Sequence, residues 1–123
     1  MNETAATILV VEDEVRLSRQ LATGLGDAGY AVYCAADGER ADFHGRTEQY
    51  DAVILDAPPT GRIAKFLNVN SEISGLAKVG PIRNHADLVM GVIASPRTAV
   101  HLVTLLEEMP VQETIDGVAE LRA

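Results

Sequence analysis

Three carboxylates stand where short apolar runs end: Glu12 and Asp13 follow Ile8–Val11, and Asp56 follows Tyr50–Leu55. A continuous apolar run of this length suggests a strand covered on both faces, as in a parallel sheet. In an open parallel sheet, ligands gather at the carboxyl ends of the strands, where the strand order reverses. If these two strands are neighbours, the three carboxylates converge there. Such a cluster repels itself unless protons or a cation intervene. Hard oxygen donors suit Mg²⁺, held with part of its water shell. The spacing therefore marks Glu12, Asp13 and Asp56 as candidate metal ligands. The competing interpretation is local, with Asp13 capping the helix that follows and Asp56 capping the next turn.

The elements that must position these residues are legible in outline. After Ile8–Val11, the stretch Glu14–Asp27 places Leu17, Leu21, Leu25 and Ala28 in helical register, and Gly29 stops it. Ala31–Ala35 is a second strand. Asp37-Gly38 punctuates, and a weakly patterned helix follows over about Glu39–Gln49. Tyr50–Leu55 is the third strand, so the order is β-α-β-α-β with short connections. Beyond the rigid Ala57-Pro58-Pro59-Thr60-Gly61 loop, Arg62–Leu67 reads as a short helix, and Ile73–Val79 as a helical turn in a polar stretch. Pro81 opens a helix with Ile82, Ala86, Val89, Met90 and Ile93 on one face, ended by Ser95-Pro96. Val100–Leu106 reads as a fourth strand, and Pro110 opens a last helix bearing Val111, Ile115, Val118 and Leu121. The expected fold is one α/β domain spanning residues 1–123: an open parallel sheet of about four strands in flavodoxin-like order 2-1-3-4, helices on both faces.

Composition narrows the function classes. The 123 residues suffice for one domain with a core, and the net charge of −8 argues against a nucleic-acid or anionic-membrane surface. A single cysteine, Cys34, excludes an internal disulfide and fits a reducing cytosol. Cys34 is read as a core residue of the second strand. No apolar run approaches the roughly 20 residues that span a bilayer, and MNETAATILVVEDE lacks the pattern of a signal peptide. A cytoplasmic location is expected. His44, His85 and His101 share no metal-ligand spacing. Arg62, Lys65 and Arg83 are read as solvated helix faces rather than phosphate contacts, and Glu107-Glu108 as a solvated turn before Pro110.

ILVVEDE, the helix ending in DAGY, the strand AVYCAADGE and YDAVILD together resemble the first half of a bacterial response-regulator receiver domain, over about residues 6–56. The resemblance implies Glu12 and Asp13 as an acidic pocket for Mg²⁺, Asp56 as the phosphoacceptor and a histidine kinase as partner. In that chemistry the carboxylate is a nucleophile toward phosphorus, while the metal offsets charge on the phosphoryl oxygens. Receivers carry a hydroxyl residue at the end of strand four and a lysine at the end of strand five. Thr104 is the candidate switch hydroxyl, farther from Asp56 than the family pattern places it. Neither Lys65 nor Lys78 falls where the family's lysine stands.

From about Tyr50 to Ala123 the chain resembles the anion-transporting ATPase family, which includes arsenite-pump and tail-anchored-protein-targeting ATPases. YDAVILDAPPTGRIAKFLN matches its strand, aspartate and loop, and VHLVTLLEEMPVQETIDGVAEL its later strand and helix. That resemblance implies Asp56 in the Mg²⁺ and water network beside a nucleotide. It also implies that the loop Asp56, Pro58, Pro59, Thr60 and Gly61 responds to a γ-phosphate. Those ATPases need a glycine-rich loop with lysine after their first strand. Here that place reads VEDEVRLS, and Gly24-Leu25-Gly26 lies in a helix without the lysine. No nucleotide-binding residue is therefore assigned, and the chain is not expected to be an ATPase by itself.

The two resemblances meet at Asp56 and divide the chain into a receiver-like half, 6–56, and an ATPase-like half, 57–123. The leading expectation is a phosphorelay signalling module of two-component type that binds Mg²⁺ and is phosphorylated on Asp56, a switch rather than a turnover enzyme. The alternatives are a catalytically incomplete fragment of an anion-transporting ATPase, or a hybrid with no physiological activity.

Overall fold

The computed structural model describes residues 5–76 and 79–122. The chain forms two compact units, Met1–Asp56 and Ala57–Ala123. The first contains β1 (Thr7–Val11), α1 (Val15–Asp27), β2 (Ala31–Ala35), α2 (Gly38–Thr47) and β3 (Ala52–Leu55). The second contains α3 (Thr60–Leu76), α4 (Pro81–Ile93) and α5 (Glu108–Arg122).

The three strands form one parallel sheet in the order β2-β1-β3, so the fold is α/β with the central strand first in sequence. Ile8 pairs with Val32 and with Ala52, and Val11 with Ala35 and with Leu55. Ile8, Leu9 and Val10 are all buried. Successive side chains of a strand point to opposite faces, so both faces of β1 are covered. The same expectation fails for β3, whose Val53 and Leu55 are 60% and 54% exposed. β3 is an edge strand, and its apolar composition is not matched by burial.

α1 packs on β2 and β1, and α2 packs on β2. α1 ends in a Schellman motif: Gly29 N–H donates to the Gly26 carbonyl and Tyr30 N–H to the Leu25 carbonyl. Gly29 sits at φ +94°, a conformation that residues with a Cβ rarely adopt. Asp37 caps α2 by accepting from Arg40 N–H at 2.7 Å.

In the second unit α3 packs against both α4 and α5. Ile63 of α3, Ala86 of α4 and Gly117 of α5 are its buried positions among the described residues. Two expectations need correction. The short helix at Arg62–Leu67 is the start of a longer one, Thr60–Leu76, which runs into the polar stretch where only a helical turn was expected. Of the turn expected at Ile73–Val79, residues 77 and 78 lie outside the described part. The fourth strand, Val100–Leu106, is not a strand, and among the described residues the sheet has three. A strand needs a neighbour to take its backbone N–H and C=O groups. This segment has none, and Val103 and Leu106 project almost wholly into solvent.

Candidate functional site

The carboxyl ends of β1 and β3 are tied together. Beyond the Val11–Leu55 pair, Asp56 N–H donates to the Val11 carbonyl at 3.1 Å, and Glu12 N–H donates to the Ala35 carbonyl at 3.0 Å. Glu12 is thus anchored between the two outer strands, and it is 3% exposed. Its Oε1 accepts from Glu14 N–H at 2.7 Å. Its Oε2 is buried with no hydrogen-bond partner among the described residues.

Several influences set the proton affinity of Glu12. The Glu14 N–H is the strongest and favours the carboxylate. Burial opposes it, as do the neighbouring carboxyl of Asp56 and the charge of Asp13, and these together prevail, so the pKa of Glu12 is raised above its ordinary 4.5. Asp56 therefore lies close enough to bias Glu12, by its charge and by a side-chain hydrogen bond that favours a proton on Glu12.

Glu12 and Asp56 are brought together, and Asp13 is exposed beside them. Among the described residues, no group of three or more His, Cys, Asp or Glu side chains is placed to hold a metal ion. Asp13 does not cap α1 either. Glu14 does, through Oε1 to Arg16 N–H at 2.9 Å and Oε2 to Leu17 N–H at 2.7 Å. The sequence pattern gave no sign of this cap, because three acids stand in succession and only backbone geometry decides which one turns back onto the helix.

Beyond Asp56 the chain passes Ala57, Pro58 and Pro59 and enters α3 at Thr60 and Gly61, where Arg62 N–H donates to the Pro59 carbonyl at 2.8 Å. Within this second unit Thr60 packs directly against Gly117, a contact no spacing rule foretold. Pro58, Gly61, Arg62, Lys65, Phe66 and Val69 line an open groove of about 510 Å³. Thr104 donates its hydroxyl to the Leu105 carbonyl at 3.0 Å. Lys78 lies outside the described residues. Cys34, expected in the core, is exposed. The Tyr50 hydroxyl lies 3.1 Å from His44 Nδ1, and its ring meets Tyr33 edge-on.

This architecture defines an α/β chain with a parallel sheet that gathers acids at the carboxyl ends of its strands. No known family profile matches it. A stretch of 72 residues, 58% of the chain, is 54% identical to ATPase BagA of Mycobacterium tuberculosis and, to the same extent, to a Mycobacterium bovis protein also named as an ATPase. The chain covers about a fifth (21%) of the length of each of these relatives. Any uninterrupted run of 72 residues within 123 must contain residues 52–72. The similarity therefore includes β3, Asp56, the Pro58–Gly61 loop and most of α3.

These relatives overturn the response-regulator and two-component expectation, since the names that match are those of ATPases. The described residues agree with that correction: the strand that would present the switch hydroxyl is not formed, and Thr104 spends its proton on an adjacent carbonyl. No helix among the described residues is long and apolar enough to cross a membrane.

Proposed function

We propose that this chain is an ATPase-related segment that supplies a pair of magnesium-side carboxylates and the loop after them, and that it does not hydrolyse ATP alone. The observation that carries this is the 54% identity over a run that must include Asp56 and the Pro58–Gly61 loop. Glu12 and Asp56 suit an ion held by one or two carboxylates and several waters. The unpartnered, buried Oε2 of Glu12 is an acceptor that a cation or its bound water would satisfy. Mg²⁺, when bound, would offset charge on phosphate oxygens.

The phosphate side is different. In nucleotide-binding sheets the helix after the first strand offers its free N–H groups to phosphate. Here the Glu14 carboxylate already takes two of them, those of Arg16 and Leu17. That end of α1 is thus negatively charged and capped, which favours a cation beside it over a bare phosphate.

The test is a segment exchange. Residues 52–72 of this chain replace the corresponding segment of ATPase BagA, and phosphate release is measured. Retained Mg²⁺-dependent hydrolysis, lost on adding Asp56→Ala, is the expected result. A folded chimera without activity would count against the proposal.

A further inference from the structure

We propose that β3 is a strand-addition site: an extended segment of a partner protein, with alternating apolar residues and a basic residue at each end, pairs along its open edge. The site lies wholly in the first unit. The inference does not rest on the ATPase reading.

The hydrogen bonds of β1 fix which groups of β3 are on offer. Glu12 N–H donates to the Ala35 carbonyl on the β2 side, so the alternation along β1 turns the peptide groups of Leu9 and Val11 toward β3. Asp56 N–H meets the Val11 carbonyl at 3.1 Å. Counting back by twos, Ile54 and Ala52 turn their N–H and C=O groups to β1, and Val53 and Leu55 turn theirs outward. Among the described residues β3 has no second neighbour, so these outward groups meet no strand.

The side chains suit the same use. Val53 and Leu55 lie on one face of the sheet and are each more than half exposed. The opposite edge is protected, because α1 and α2 pack on β2, and neither packs on β3 to a comparable extent. Proteins blunt free edges with lysine, proline or a bulge. Ala52–Leu55 carries no lysine or proline, and its pairing with β1 is continuous. In strand addition the main chain gives affinity and alternate side chains give specificity.

Charge says which partner. Glu48 and Asp51 precede the strand and Asp56 follows it, and all three are exposed. Arg46, the nearest cation before the strand, is held by Asp42 at 2.8 Å. Acids at both ends attract a segment with lysine or arginine at both ends and repel an acidic one. Asp13, also exposed, keeps the far end negative when a cation occupies Glu12 and Asp56. The strand between Asp51 and Asp56 is about 17 Å long, so the two bases stand five or six residues apart.

The test is an amide NMR titration of the full chain with the acetylated, amidated peptide Lys-Thr-Val-Thr-Ile-Thr-Lys. Val53 and Leu55 should shift saturably with a Kd below about 1 mM. At tenfold excess over Kd their amides should exchange with solvent about tenfold more slowly. Two N-methylated peptides, one methylated at Val and Ile and the other at the three Thr, should behave oppositely. One keeps binding and the other loses it, since only alternate N–H groups face β3. Replacing both Lys by Glu should weaken binding about tenfold or more. Val53→Pro removes an outward N–H and leaves the ladder to β1 intact, so it should lose binding with circular dichroism unchanged. If that variant does not fold, the methylated pair decides. No saturable shift at Val53 and Leu55 overturns the proposal, and so does binding indifferent to both methylations. Slow exchange of these two amides in the dilute chain alone overturns it too, because the edge is then already filled. Shifts that follow the chain's own concentration overturn it in favour of a second copy.

Discussion

The two oxygens of Glu12 meet different fates: one accepts a backbone N–H, and the other is buried beside Asp56 with nothing to accept. Because its pKa is raised, the folded chain holds a proton that the unfolded chain has released, over the interval from the ordinary 4.5 up to the raised value. Stability therefore falls as pH rises through that interval, and the loss is complete above it. Glu12→Gln keeps an acceptor for Glu14 N–H and places a donor toward Asp56. In melts without divalent cations, it should raise Tm at about pH 8, with the gain fading toward about pH 4. A variant less stable than wild type at the higher pH would contradict this. Mg²⁺ should stabilise the wild type by about 1.4 kcal/mol at tenfold excess over its Kd, and Asp56→Asn should abolish that gain. The partnership of Glu12 and Asp56 was legible because an acid after each apolar run must sit at a strand end. The exposure of Asp13 was not, since neighbouring acids look alike until the backbone turns.

Among the elements of the second unit, α5 comes close to the start of α3. A Cβ at Gly117 would collide with the Thr60 methyl group. Replacing a helix-interior glycine by alanine ordinarily gains about 1 kcal/mol, whereas overpacking costs about 1–3 kcal/mol. Gly117→Ala should therefore destabilise by up to about 2 kcal/mol. In a Thr60→Ser background, which lacks the methyl, the same change should be neutral or stabilising. Urea unfolding of the four proteins in this cycle measures the coupling. The three strands and their order could be read from apolar runs with acids at their ends. The false fourth strand shows what such a run omits: Val100–Leu106 has strand-like residues but no neighbour. α3 was missed as one helix because Asn68, Gly75 and their polar neighbours have low helix propensity. Tertiary contact with α4 and α5 supplies what propensity does not.

For the whole molecule, the division after Asp56 coincides with the point where the two sequence resemblances meet. The sheet with its acidic end lies in the first unit, and the loop and helices that follow lie in the second. These 123 residues contain no glycine-rich loop ending in lysine, and the end of α1 that would face phosphate carries the Glu14 carboxylate. The purified chain should show no Mg²⁺-dependent release of phosphate from ATP above an Asp56→Ala control. Turnover lost in that control would refute the non-hydrolysing reading. The ATPase alternative was legible in the Asp56–Gly61 loop, where an acid, two successive prolines and a Thr-Gly pair make a distinctive run. The receiver expectation came from the pattern of the sheet, which many unrelated α/β proteins share.

Among the described residues β3 has one neighbour, and its apolar residues are exposed along its length, so little burial would be lost if it slid along β1. A one-residue slide moves a strand by about 3.3 Å and turns each side chain to the opposite face. What opposes it sits at the two ends. Thr7 N–H donates to Asp51 Oδ2 at 2.7 Å and Asp51 N–H to the Thr7 carbonyl at 2.9 Å, while Asp56 N–H holds the Val11 carbonyl. Asp51, five residues from Asp56, thus acts as a register pin. Asp51→Ala should let the strand drift and carry Asp56 away from Glu12. An NMR titration would then find the Glu12 pKa returning toward its ordinary 4.5, although no residue of the acidic pair had been altered.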